Sequence, residues 1–273
     1  MVDSSGGRYD VSGCLMEQYV IKDVAPTVSA ILGLRSPAQS TGAVIPQIVR
    51  DLSGRQRVAV LVPDALGLFP WQRWRHEMPC LCSLHDKHSI VMRSVLPSVT
   101  PVCFSAILTG ADQSVHGVDA RTDTIACESL FDTVSQSKGQ TAGVGLRGHT
   151  GYEFLGRHAG IRGDGGDGSD AGTETEIIRI VDHHSPAFLI AQLYWTDGIF
   201  HKHGPSSPAV VPILQETDGR IDRLCRYLGD QGYGVIVLAD HGQHDVLDAG
   251  VGENKGRHGT DADEDLLVPC TWV

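Results

Sequence analysis

A chain of 273 residues is long enough to bury a full core and close to the size at which single cores stop growing, so one α/β domain spanning 1–273 is expected. Its 22 Lys and Arg against 33 Asp and Glu leave a net charge of -11, which argues against a nucleic-acid backbone as the main partner. The start, MVDSSGGRYDVSG, has no apolar signal core and no run of 18 apolar residues follows, so no membrane span and a cytoplasmic location are expected.

The seven cysteines are odd in number, and Cys80-x-Cys82 lacks the spacing of a redox or zinc CxxC, so reduced thiols are expected. Thirteen histidines in an acidic chain supply, with Asp, the ligand pair of zinc-like ions.

In chain order, residues 1–13 read as a frayed polar start and Gln18–Ile21 as a short strand. Asp23 to Gly33 reads as a capped helix closed by glycine, and Pro46 to Leu52 as a second helical piece with proline at its start. Arg57–Val62 is a continuous apolar run with β-branched residues, the pattern of a buried parallel strand, and it ends at Asp64. Ser89–Leu96 is strand-like and breaks at Pro97. Thr100 then precedes Pro101, and Val102, Phe104, Ala106, Ile107 and Leu108 follow at helical spacing until Gly110, which puts Thr100 at the N-cap of an apolar helix.

A helix over Ser129–Ser137 and a strand over Thr141–Leu146 come next. Residues 147–173, with GDGGDGSDAG at 163–172, read by composition as a flexible loop insertion. Helices over Thr175–His183 and Val211–Leu228 alternate with strands at Ala187–Tyr194, Tyr233–Leu238 and Leu266–Cys270. Such alternation predicts a mostly parallel central sheet with helices on both faces.

Ligands of open α/β sheets bind beyond the carboxyl ends of the strands. Asp64, Thr100, Asp197 and Asp240-His241 all stand at or just after such ends, His201 follows Asp197 by four residues, and His258 comes just before the last strand. Each alone reads equally well as a turn, cap or surface residue. Together they give three carboxylates, three imidazoles and a hydroxyl that divide into two nearly tetrahedral sites.

These residues resemble the alkaline phosphatase superfamily, in particular its nucleotide pyrophosphatase and type I phosphodiesterase branch. PSVTPVCFSAILTGADQSVHGV is similar to that branch's nucleophile stretch, with Thr-Gly nine and His-Gly sixteen residues after Thr100. Asp197-Gly-Ile-Phe-His201-Lys-His-Gly-Pro-Ser-Ser resembles its D-xxx-H-xx-GP-x-S segment, Asp240-His241-Gly242 its DHG motif, and His258 in RHGT its late histidine. The resemblance implies an alkaline-phosphatase-like fold and a two-metal hydrolase acting on a phosphodiester or pyrophosphate, or a phosphomonoester, through a phospho-threonine intermediate. It implies Thr100 as nucleophile, one divalent ion at Asp64, Asp240 and His241, and another at Asp197, His201 and His258. Zinc suits these ligands best, with manganese second. A small phosphorylated substrate such as a nucleotide is implied as partner, with no nucleic-acid duplex.

Three features depart from the branch. Arg121 stands five residues after His116, where nucleotide pyrophosphatases carry an Asn that helps bind phosphoryl oxygen, so Arg121 is expected to bind substrate. The chain is shorter than the secreted members, and no export signal like theirs is expected. Residues 22–33 resemble an "APT-helix-LG" element that usually follows the superfamily's final strand. Residues 1–56 are therefore expected to be a circularly permuted C-terminal element, with the Val24–Leu32 helix beside the Leu266–Cys270 strand. Phosphonoacetate hydrolase, which cleaves a C–P bond, shares the constellation, and a catalytically inactive metal-binding relative is the reading from outside the enzymes.

Overall fold

The computed structural model describes residues 19–273; the polar start and Gln18 lie outside the described residues. Eight strands form the main sheet: β1 (Tyr19–Val20), β2 (Val58–Pro63), β3 (Ser89–Arg93), β4 (Thr141–Gly145), β5 (Ile161–Asp164), β6 (Phe188–Leu193), β7 (Gly234–Leu238) and β10 (Leu267–Trp272). Two short strands, β8 (His244–Asp245) and β9 (Gly256–Arg257), pair as a separate hairpin. The main sheet runs β1-β3-β10-β7-β2-β6-β4-β5. Its pairs are parallel except those of β10, which is antiparallel to both β3 and β7.

The apolar runs explain the strand order. Every residue of β2, β6 and β7 is buried, as expected of neighbouring central strands covered by helices. β3 leaves Val91 exposed and sits nearer the edge. Helices pack around the sheet, the longest being Val211–Asp230, whose Leu214, Ile221, Leu224 and Leu228 form one buried stripe.

Two expectations fail here. Residues 147–173 are not a flexible loop: they hold a helical segment over Gly151–Leu155 and Gly156–His158, then β5, and the Asp170–His184 helix begins inside them. Glycine serves close packing there. A Cβ on Gly163 would stand 2.8 Å from both the Ile180 and Val144 side chains, so β5 reaches the core only because that position is bare. The Val24–Ile31 helix, for its part, packs on the Pro46–Asp51 and Thr100–Thr109 helices rather than beside β10. β1 lies in the same half of the sheet as β10, but β3 is interposed, and the N-terminal region reaches β10 through the Trp272 Nε1–H to Asp51 bond of 3.1 Å.

Candidate active site and metal centre

Strand register delivers the site. Leu61 lies opposite Val237 and Pro63 opposite Leu193, so Asp64, the residue after β2, falls beside Asp240 after β7 and close to the turn that leads to Asp197. Because β10 is antiparallel, it starts where the parallel strands end, and the segment before it brings His258 to the same edge.

Asp64, Asp240 and His241 are fully buried. His241 Nε2 is 3.5 Å from Asp64 Oδ1 and 3.4 Å from Asp240 Oδ2, and neither of those oxygens has a hydrogen-bond partner. On the other side of His241, Asp197 Oδ1 is 3.3 Å from His201 Nε2 and 3.6 Å from His258 Nε2. Among the described residues two trios place donor atoms within 4.8 Å of one another: Asp64, Asp240 and His241, and Asp197, His241 and His258. His241 therefore stands between both groups, and His201 joins the second through Asp197 rather than as a member of the tight trio.

The imidazoles are oriented by carbonyls, which can only accept. Nδ1–H of His241 donates to Gly242 O (3.0 Å), that of His201 to Gly256 O (3.0 Å) and that of His258 to Ser98 O (2.8 Å). All three Nε2 atoms are thus turned toward the site, the orientation a metal-ligating histidine requires. Burial, and then the Asp240 and Asp197 charges, push the Asp64 carboxyl well above the carboxylate range, and burial pushes Asp240 up to about 7. Burial also lowers His241, and takes His258 down to about 4 with help from His241. Asp197 goes the other way: burial would raise it, but His201 and the neighbouring imidazoles outweigh that and hold it low. Partnerless buried carboxylate oxygens packed against neutral imidazoles are an unfavourable set by themselves and a fitting donor set for divalent cations.

Thr100 is the first residue of its helix, with Val99 at the cap and no side-chain capping bond. The capping role expected from sequence is absent. Its hydroxyl instead lies 3.2 Å from His241 Nε2, and since His241 Nδ1 is the donor, Thr100 Oγ1–H donates to Nε2. A cleft of about 600 Å³ opens over the site, lined by Asp64, Thr100, Asp197, His201, His258 and Arg121. Arg121 is exposed, on a loop whose carbonyls at 121–123 all accept from the Arg157 guanidinium.

Several residues of the site went unread in the sequence. Gln192 donates to Asp64 Oδ2 and accepts from Gly151 N–H, and its signal was a polar residue inside the apolar run FLIAQL. Gln243 donates to Asp197 Oδ1 at 3.2 Å. Tyr194 and His149 stack at 3.6 Å along the cleft wall, which no local pattern announces. Ala65 adopts φ 60, rare without glycine, and its N–H reaches Asp240 Oδ1 at 3.2 Å, so backbone strain is stored beside the ligands.

The architecture defines an alkaline-phosphatase-like α/β protein, as the motif resemblance implied. The type I phosphodiesterase / nucleotide pyrophosphatase family model matches residues 157–258, the stretch that holds Asp197, His201, Asp240, His241 and His258. Phosphonoacetate hydrolase from Sinorhizobium meliloti, solved with phosphonoformate, is similar at a TM-score of 0.55 and 15% identity over 72% of this chain and 59% of its own. Murine ectonucleotide pyrophosphatase/phosphodiesterase 5 is similar at 0.56 and 15%, over 71% and 59%. An inactive variant of that murine protein, in complex with AMP, is similar at 0.55 and 14%, over 70% and 58%. The chain thus spans about three fifths of the length of these structures. No curated protein matches it.

Proposed function

We propose that this chain is a two-metal hydrolase that cleaves a phosphodiester or pyrophosphate with Thr100 as nucleophile. The observation that carries the reading is the Thr100 hydroxyl at 3.2 Å from His241 Nε2, itself set against the two partnerless carboxylate oxygens of Asp64 and Asp240. Divalent cations, zinc by preference and manganese second, would be held by Asp64, Asp240 and His241 and by Asp197, His201 and His258. When bound they supply Lewis-acid stabilisation of the attacking and leaving oxygens.

The protein's own groups do the rest. Thr100 Oγ1 attacks phosphorus, forming the Thr–O–P bond as the bond to the leaving alcohol or phosphate breaks; water then cleaves the phospho-threonine and restores the hydroxyl. The Thr100–Thr109 helix points its N-terminus at the transferring group, and Arg121, in the same cleft, supplies a guanidinium for an equatorial oxygen. A nucleotide-sized phosphorylated substrate fits the cleft volume, and the murine relative's complex with AMP supports that class. The expected cytoplasmic location belongs to this proposal, the six described cysteines being free thiols. No helix among the described residues is long and apolar enough to cross a membrane.

A C–P hydrolase is the second reading, favoured by the lining: apart from Val99, Pro101 and Ala120 it is polar or charged, which suits a small dianion better than a nucleobase. One panel separates the readings. Aryl phosphodiesters, nucleoside diphosphates and phosphonoacetate are assayed with added zinc or manganese and again with chelator. Diester turnover that chelator abolishes supports the first reading. Phosphate release from phosphonoacetate alone selects the second, and bound metal without any turnover leaves an inactive relative.

A further inference from the structure

We propose that Asp265 is the positioning residue of the metal centre, fixing the loop of His258 against the loop of Asp240 and His241. The inference rests on the metal-centre reading above. Asp265 is 0% exposed and does not line the cleft, so it touches neither substrate nor the reacting hydroxyl. Its Oδ2 accepts from Thr260 N–H at 3.0 Å and Thr260 Oγ1–H at 2.7 Å, and its Oδ1 accepts from His244 Nδ1–H at 2.8 Å. Its backbone carbonyl accepts from Gly242 N–H at 2.8 Å. One residue therefore grips the 240–244 loop at two points and the 258–260 loop at two more.

A carboxylate answers this position chemically. Three side-chain-directed donors converge on it, and an acceptor-only group satisfies all three, which offsets the cost of burying the charge. The contact is also tight: a Cβ on Gly242 would lie 2.0 Å from Glu264 O, so the segment before β10 is pressed onto the DHG loop. Ser98 completes the far side, donating to Thr260 O at 3.1 Å while its carbonyl orients His258. The product is the stacked pair of His241 and His258, ring centroids 4.1 Å apart at 20°. Their spacing determines whether Asp197 can share an ion with both.

The test is zinc stoichiometry and affinity by competition with a chromophoric chelator, together with the visible absorption of the cobalt-substituted protein. Wild type, His258→Ala, Asp265→Ala, Asp265→Asn and Thr260→Val are compared. Asp265→Ala should weaken the ion that His258→Ala also weakens by about 10–100-fold and change the cobalt spectrum, as removal of groups that orient ligands does. Asp265→Asn keeps an acceptor for Thr260 and should rescue most of that loss. Thr260→Val, a milder change should Asp265→Ala not fold, should weaken the same ion and spare the other. If Asp265→Ala and Thr260→Val bind both ions like wild type while His258→Ala loses one, this inference falls and the metal centre stands. Equal loss of both ions together with a lower melting temperature of the metal-free protein means Asp265 is only structural and overturns it too. Wild type that takes up no ion overturns both readings.

Discussion

Thr100 concentrates the proposed chemistry in one hydroxyl, held at the start of a helix that is buried from Val102 to Thr109. Thr100→Ala should lower kcat for an aryl phosphodiester by on the order of 10³-fold or more, as loss of a nucleophile does. Thr100→Ser, which keeps the hydroxyl, should retain measurable turnover. Near wild-type kcat in the alanine variant, with metal bound, would return Thr100 to a purely local role. Gln192 invites a second substitution at this scale. Gln192→Leu removes the donor to Asp64 and the acceptor for Gly151 N–H in a buried strand, and should cost about 2 kcal/mol or more in denaturant unfolding. A loss below about 0.5 kcal/mol would mean that these groups find other partners, since buried unsatisfied groups cost more than that.

Among the elements, β10 matters most to the site although it supplies no ligand. Among the described residues it is the one antiparallel strand of the main sheet, and this polarity carries the 256–266 segment to the edge where β2, β6 and β7 end. The approach of that segment to Gly242 leaves no room for a side chain. Gly242→Ala should therefore separate the two loops and reduce zinc uptake while the far-UV circular dichroism stays native. Full zinc stoichiometry in that variant would show that the backbones can shift without disturbing the ligands.

For the whole molecule, pH and metal are linked through the buried carboxylates. Asp240 is raised to about 7 and Asp64 is raised well above its usual range, so the metal-free folded state holds protons that the unfolded chain has released. That contribution is present below the unfolded carboxyl pKa of about 4 and is lost as pH rises through the folded values. The lowered imidazoles act oppositely. His258, at about 4, adds stability above its unfolded pKa of about 6.5 and loses it as pH falls. Between about pH 6.5 and 8 the lowered His258 has passed its titration, and the raised carboxylates, joined by His201, whose burial is outweighed by Asp197 so that it too is raised, should lower the melting temperature of chelator-treated protein. With zinc the slope should reverse, because binding needs the ionised ligands. Identical slopes with and without zinc would mean that no ion binds there. We also keep the circular permutation as a proposal. A chain reopened at the exposed Gly54 turn, with Val273 linked to the N-terminus, should fold and bind zinc, because β1 and β10 are separated only by β3.

The sequence by itself determined the class of fold and the residue types of the site. Buried parallel strands announce themselves as unbroken apolar runs, and the residues just past their ends are placed at one edge by chain direction alone. Asp64, Asp197 and Asp240 were legible for that reason. Composition misled at 147–173, because glycine that permits flexibility and glycine that permits close packing look alike until the Val144 and Ile180 neighbours of Gly163 are known. Only the tertiary structure decided that His241 lies between the two ligand groups, that Gln192 and Gln243 hold carboxylates, and that β3 separates β1 from β10. The two glutamine contacts join residues 128 and 46 positions apart. Distances of that kind are set by strand order and register, which no local pattern of side chains encodes.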